Sequence, residues 1–109
     1  AMRFLAKHPH LTAVFAATSF SGLAVIEAAR RIDRHVPERL SVVCFDDVER
    51  AELHRVPPSC VVQPQRELGR EAAQLLLSVI ADPGGERRRI TLPTRFIERG
   101  STAPPPPLR

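Results

Sequence analysis

Tryptophan and tyrosine are absent from this 109-residue chain, which carries five phenylalanines and four histidines. No aromatic platform for stacking nucleic-acid bases is visible. Lysine occurs once, at Lys7. Two cysteines are too few for a disulfide-dense scaffold and fit the reduced thiols of a cytoplasmic protein. No apolar run approaches the roughly 20 residues needed to cross a bilayer, so no membrane partner is expected. Met2 to Lys7 is too short for the apolar core of a signal peptide, and His8-Pro9-His10 ends it, so no leader is expected either. A Gly-x-Ser-x-Gly elbow is missing. His8, His10, His35 and His54 lack the spacing of a closed zinc site, and His8 and His10 flank a proline in a loop. The Asp46-Asp47 pair would need a third carboxylate and a phosphate-binding lysine to act as a metal and phosphoryl centre, and Lys7 precedes the first strand. Neither catalysis nor a metal or cofactor is therefore expected.

Hydrophobic residues make up 43% and charged residues 26% of the sequence, an ordinary globular balance that excludes wholesale disorder. The formal net charge is +4. Most arginines alternate with acids, as in Arg66-Glu67 and Arg70-Glu71, and the only tight basic run is Arg87-Arg88-Arg89. Dispersed charge of this kind reads as a solvated surface rather than a nucleic-acid footprint.

Leu11 to Ala17 is a short apolar run between turn residues, the pattern of a buried strand. Ser19 is a plausible N-cap for a helix over Phe20 to Ile32, apolar on two faces, which Pro37 prevents from continuing. Leu40 to Phe45 is a second buried strand, and strand–helix–strand over this span is a βαβ unit with parallel strands. Cys60 to Val62 reads as a third strand. The cleanest helix runs from Gln65 to Ala81, with Leu68, Ala72, Leu75 and Val79 in one lane and Gly69, Ala73, Leu76 and Ile80 beside it. Asp82-Pro83-Gly84-Gly85 stops it. Ile90 to Ile97 is a last strand, with Pro93 marking an edge or a break. Residues 103–109 form a proline-rich, flexible tail after a domain spanning 1–102.

The fold class is α/β, a parallel sheet with flanking helices. In open parallel sheets ligands bind beyond the carboxyl ends of the strands. The expected strands finish at Ala17, Phe45 and Val62, and hand off to Thr18, Asp46 and Gln63. These side chains suit a neutral ligand rich in hydroxyl groups, since a carboxylate can accept from two hydroxyls at once. Polar strand ends also occur simply because they reach the surface. Cys44 and Cys60 fall within strands and read as inert core thiols. Asp47 reads as a brace for the loop that follows it.

Four segments in order, TAVFAATSFSGLAVIEAARR (12–31), VPERLSVVCFDD (36–47), QPQRELGREAAQLLL (63–77) and LPTRFIERGST (92–102), resemble the carboxyl-terminal part of the effector-binding domain of lactose-repressor (LacI) family transcription regulators. That domain shares its fold with periplasmic sugar-binding proteins. The resemblance implies ligand-binding roles for Thr18, where the family usually has an effector-touching asparagine, for the aspartate at Asp46 and for the pocket glutamine at Gln63. It also marks departures. Cys44 replaces a glycine and should crowd its strand. Pro58-Ser59-Cys60 replaces Leu-Thr-Thr. No glycine stands near Asp33, where the family's helix ends.

The function so implied is effector sensing by a cytoplasmic, homodimeric bacterial transcription regulator. Its effector would be a sugar or related polar metabolite, and DNA would be bound only through a helix-turn-helix domain outside these residues. The resemblance further implies that the chain is about the last third of such a regulator, that Ala1-Met2 is a cloning remnant, and that the helix Gln65 to Ala81 packs on an amino-terminal subdomain not contained in it. The rival readings are a solute-binding protein of a sugar transporter and a purely structural dimerisation module built on the two-faced helix.

Overall fold

The apolar run Ala13-Val14-Phe15-Ala16 after the Pro9 turn extends as β1 (Ala13–Ala16), and the apolar stretches further on form β2 (Ser41–Phe45) and β3 (Ser59–Val62). A computed structural model describes residues 1–105 and 107. Expected tail residues 106, 108 and 109 lie outside the described residues. The helices are α1 (Met2–Lys7), α2 (Ser19–Arg31) and α3 (Gln65–Ala81), with one 3₁₀ turn at Ala51–Leu53. Strand β4 is Arg95–Ile97, shorter than the sequence pattern predicts. Pro93 supplies no amide hydrogen for a ladder, and residues 90–94 stay irregular.

The four strands lie in the order β1-β2-β3-β4, with β1/β2 and β2/β3 parallel. Ala16 pairs with Cys44, and Cys44 with Cys60. The described chain falls into two compact units, residues 1–62 with the segment from 96 onward, and residues 63–95.

In the first unit the core divides into two groups. Leu5, Ala28, Ala29, Leu40 and Val42 form one, and Ala16, Cys44, Val48, Ala51 and Cys60 the other. Val42 and Cys44 are two apart on β2 and share a face. That face is closed, with both residues fully buried. Phe15, which alternation puts on the opposite side of β1, is 61% exposed. The expectation of strands buried on both faces is thus corrected: α1 and α2 cover only one. Burial of each Val- or Leu-sized side chain contributes about 1.5–3 kcal/mol, and this is where the unit gains its stability.

Helix α2 begins one residue before the expected position. Thr18, not Ser19, is the N-cap, and its hydroxyl accepts from the Ser21 amide at 3.1 Å while Ser21 Oγ accepts from the Thr18 amide at 3.1 Å. This reciprocal pair satisfies two orphan amides at once, which Ser19 has no matching partner to do. At the other end Arg34 N–H donates to Ala29 O at 2.9 Å and Asp33 N–H to Arg30 O at 3.2 Å. That double closure requires a left-handed residue, and Asp33 takes it with φ 55°. The Arg34 guanidinium then reaches His8 O at 3.2 Å, tying the end of α1 to the end of α2.

In the second unit α3 matches its expected bounds and contains no buried residue. Its apolar lanes remain in contact with solvent, and Ile80 is 65% exposed.

Candidate functional site

The carboxyl ends of β1 and β2 are level, because Ala16 pairs with Cys44 and the next two residues on each strand lead to Thr18 and Asp46. Thr18 is exposed and caps α2. Its hydroxyl also lies 2.9 Å from Ser21 Oγ, and that Oγ donates to Thr18 O at 2.9 Å. Ser21 has a single hydroxyl proton, so Thr18 must donate in the pair. One acceptor lone pair of Thr18 Oγ1 is left for a ligand hydroxyl. Capping thus restricts Thr18 to accepting.

Asp46 is half-buried and left-handed, with φ 66°, and its amide donates to Val61 O at 2.8 Å. The bend takes the chain off the ladder just where β2 ends. Gln63 is half-buried, its carbonyl accepts from the Gln65 amide at 2.9 Å, and it is the first residue of the second unit. The structure therefore brings Thr18 and Asp46 to one rim, and Gln63 belongs to the other unit.

Sequence patterning missed the strongest electrostatic feature beside the rim. Arg99 grips Asp47 with both prongs, NH1 to Oδ1 at 2.6 Å and NH2 to Oδ2 at 3.0 Å. Asp47 Oδ1 also accepts from the Val48 amide at 2.7 Å, which is the loop brace expected of it. The Arg99 guanidinium holds the Asp47 carboxyl well below the usual range, at about 2. The partners are 52 residues apart, so no local spacing could reveal the pair.

Behind the rim the cysteines are buried, as expected. Burial, then the Asp47 charge, pushes the Cys44 thiol up. Burial, reinforced by a contact with Asp47 Oδ1 at 3.4 Å, pushes the Cys60 thiol up to about 11. Neither is a nucleophile at neutral pH. The predicted crowding by Cys44 is absorbed by Gly22 of α2. A Cβ placed there would stand 2.7 Å from Cys44 Cβ.

The departure at Pro58-Ser59-Cys60 also has a structural counterpart. Ser59 is fully buried, and its hydroxyl accepts from the Arg99 amide at 2.9 Å and donates to Arg99 O at 3.2 Å. Ser101 Oγ accepts from the Ser59 amide at 2.7 Å and donates to Val42 O. These bonds satisfy buried polar groups that would otherwise destabilise the unit and strap residues 99–101 across the sheet.

A family model described as a periplasmic binding protein-like domain matches residues 1–102. The chain belongs to the periplasmic-binding-protein-like family. Among relatives of this domain is the HTH-type transcriptional regulator CelR of Thermobifida fusca, 40% identical over 102 residues, 93% of this chain and 30% of the regulator. The solved complex of a transcriptional regulator CelR with cellobiose superposes with a TM-score of 0.84 at 40% identity, over 93% of this chain and 31% of that one. A LacI family transcriptional regulator from Enterococcus faecium, solved with bound ribose, superposes with a TM-score of 0.80 at 30% identity, over 94% of this chain and 39% of that one. The chain thus spans about a third of the length of its transcription-regulator relatives, and it is similar to part of their periplasmic-binding-protein-like domain. No described helix is long and apolar enough to cross a membrane.

Proposed function

We propose that residues 1–102 form the carboxyl-terminal part of the effector-binding domain of a cytoplasmic transcription regulator, and that the effector is a sugar or a related polyhydroxyl metabolite. The observation that carries this reading is the placement of Asp46, a carboxylate at a left-handed bend where the central parallel strand ends. Ligands of parallel α/β sheets gather at that edge. Asp46 accepts from paired hydroxyls, and Thr18 accepts from a third. Relatives solved with cellobiose and with ribose support the ligand class. Bound effector shifts the population between two conformers and so alters DNA binding by a helix-turn-helix domain outside these residues. The chain's relatives among transcription regulators support a non-enzymatic role.

We also propose that the regulator is a homodimer built on α2. Phe20 in its first turn is 82% exposed, and Leu53 of the 3₁₀ turn is exposed too. Apolar side chains this open on one unit are what a two-fold contact buries.

The test of the effector reading is a titration of the isotopically labelled 109-residue chain with cellobiose and with ribose, followed by amide shifts. This chain offers one wall of a site, so a millimolar dissociation constant, about −4 kcal/mol, is expected. Saturable shifts should centre on Thr18 and Asp46, and Asp46→Ala should weaken binding by on the order of tenfold, the loss of charged hydrogen bonds. Absence of saturable shifts with either sugar up to its solubility limit would remove these residues from the site.

A further inference from the structure

Arg99 lies two residues beyond β4 and is fixed at both ends. Its backbone is tied to the Ser59 hydroxyl through both amide and carbonyl, at 2.9 and 3.2 Å. Its guanidinium holds Asp47 with two prongs and also donates to Pro58 O at 3.1 Å. Its side chain is only 22% exposed, against 42% for Asp47. Asp46 sits between two anchors. On one side its own amide is bound to Val61 O at 2.8 Å, and on the other Asp47 is clamped. Between them Asp46 adopts φ 66°, a conformation that a non-glycine residue keeps when its surroundings over-determine it.

We propose that Arg99 is the positioning residue of the candidate effector site: by gripping Asp47 it holds Asp46 in the left-handed conformation that meets a polyhydroxyl ligand. The role rests on the assignment of Asp46 as an effector contact. A planar fork suits it, because two parallel N–H···O bonds fix the orientation of the Asp47 carboxylate, and with it the peptide that follows Asp46. A lysine would supply charge without orientation. The clamp also joins the segment that returns to the first unit after residue 95 to the strand end that carries the site.

Two readouts on the 109-residue chain test the proposal. One is the coupling between the amide and α protons of Asp46, which reports its φ. The other is the dissociation constant for cellobiose from amide shifts. Arg99→Gln should change the coupling and weaken cellobiose about tenfold, the size of one charged hydrogen-bond pair. Arg99→Lys should fall between, and the exchange D47R/R99D should restore both readouts toward the parent. Ser41→Ala, which releases Ala103 from β2 without touching Asp47, is the structural control. It should leave both readouts unchanged. If Arg99→Gln fails to fold, Asp47→Asn keeps the shape, removes the charge and carries the same expectation. A variant that melts earlier yet keeps the parental coupling and cellobiose affinity overturns the proposal. If the parent chain answers to neither cellobiose nor ribose, the effector reading fails, and the Asp46 coupling alone decides whether Arg99 sets the backbone.

Discussion

Gly22 and Cys44 form a contact between α2 and β2 with no slack, and its energetics can be worked through. Replacing a helical glycine by alanine ordinarily stabilises by about 1 kcal/mol through backbone entropy. Here the new Cβ would stand 2.7 Å from Cys44 Cβ and 3.2 Å from its Sγ. Both Cβ atoms are fixed by their backbones, so neither can swing aside. Relief requires α2 to lift from the sheet, an overpacking cost near the upper end of about 1–3 kcal/mol. The clash should win. Gly22→Ala should destabilise by about 2 kcal/mol, a fall in melting temperature of roughly 8–16 °C for a unit of this size.

A double-mutant cycle isolates the contact. Cys44→Gly alone should destabilise, since a glycine within a strand costs about 0.5–1 kcal/mol and the buried thiol packing is lost as well. Combined with Gly22→Ala it removes the clash and leaves the helical gain, so the pair should be better than the sum of the singles by about 3 kcal/mol. Cys44→Ala is the decisive control, because it keeps the Cβ at 2.7 Å and should rescue little. Urea melts followed by circular dichroism at one low protein concentration provide the numbers. A stabilising Gly22→Ala, or additivity within about 0.5 kcal/mol, would refute the argument.

Other consequences follow the same logic. Asp33→Gly should stabilise by about 1 kcal/mol, because a left-handed aspartate is strained where glycine is not, and its contact with His35 at 3.8 Å is too long and exposed to offset this; an unchanged melting temperature would count against strain at this cap. Asp47 titrates at about 2 when folded against an ordinary 3.8. Its folded pKa is depressed, so the clamp stabilises above pH 3.8 and that stability is lost as pH falls through about 2. Given the exposure of the pair, roughly 1 kcal/mol is expected, and Arg99→Gln should flatten this part of the acid profile in urea melts. Cys44 and Cys60 are buried with raised pKa, so alkylation at pH 8 should proceed only as fast as the unit opens; labelling at the rate of the urea-unfolded chain would contradict their placement.

The elements differ in how far the sequence reveals them, and for physical reasons. Helix α3 is legible to the residue because its lanes repeat with helical period and Asp82-Pro83-Gly84-Gly85 stops it. The cap of α2 is harder to place, since Thr18 and Ser19 are both good caps. The choice was made by Ser21 three residues after Thr18, standing where a glutamate or glutamine is the usual reciprocal partner. Strand β4 is overcalled because β-branched residues around Pro93 imitate a strand. Thr18 and Asp46 were placed at one rim by the parallel register, which two apolar runs and one intervening helix determine. The Arg99 clamp and the Ser59–Ser101 strap were not legible, because they join residues about 40 to 60 apart through side chains that look like ordinary surface polarity.

Burial is where a continuous apolar run says least. Such a run records that both faces of a strand tolerate apolar side chains, not that the same stretch of chain covers both. Val42 and Phe15 illustrate the difference: Val42 is wholly enclosed beneath α1 and α2, while Phe15, on the neighbouring strand, keeps most of its surface in water. By area alone phenylalanine has more to gain from burial than valine. The larger residue thus contributes less here, and the lanes of α3 stand in the same position. The stability of the first unit rests on the face carrying Val42 and Cys44, which is the face that Gly22 allows α2 to approach.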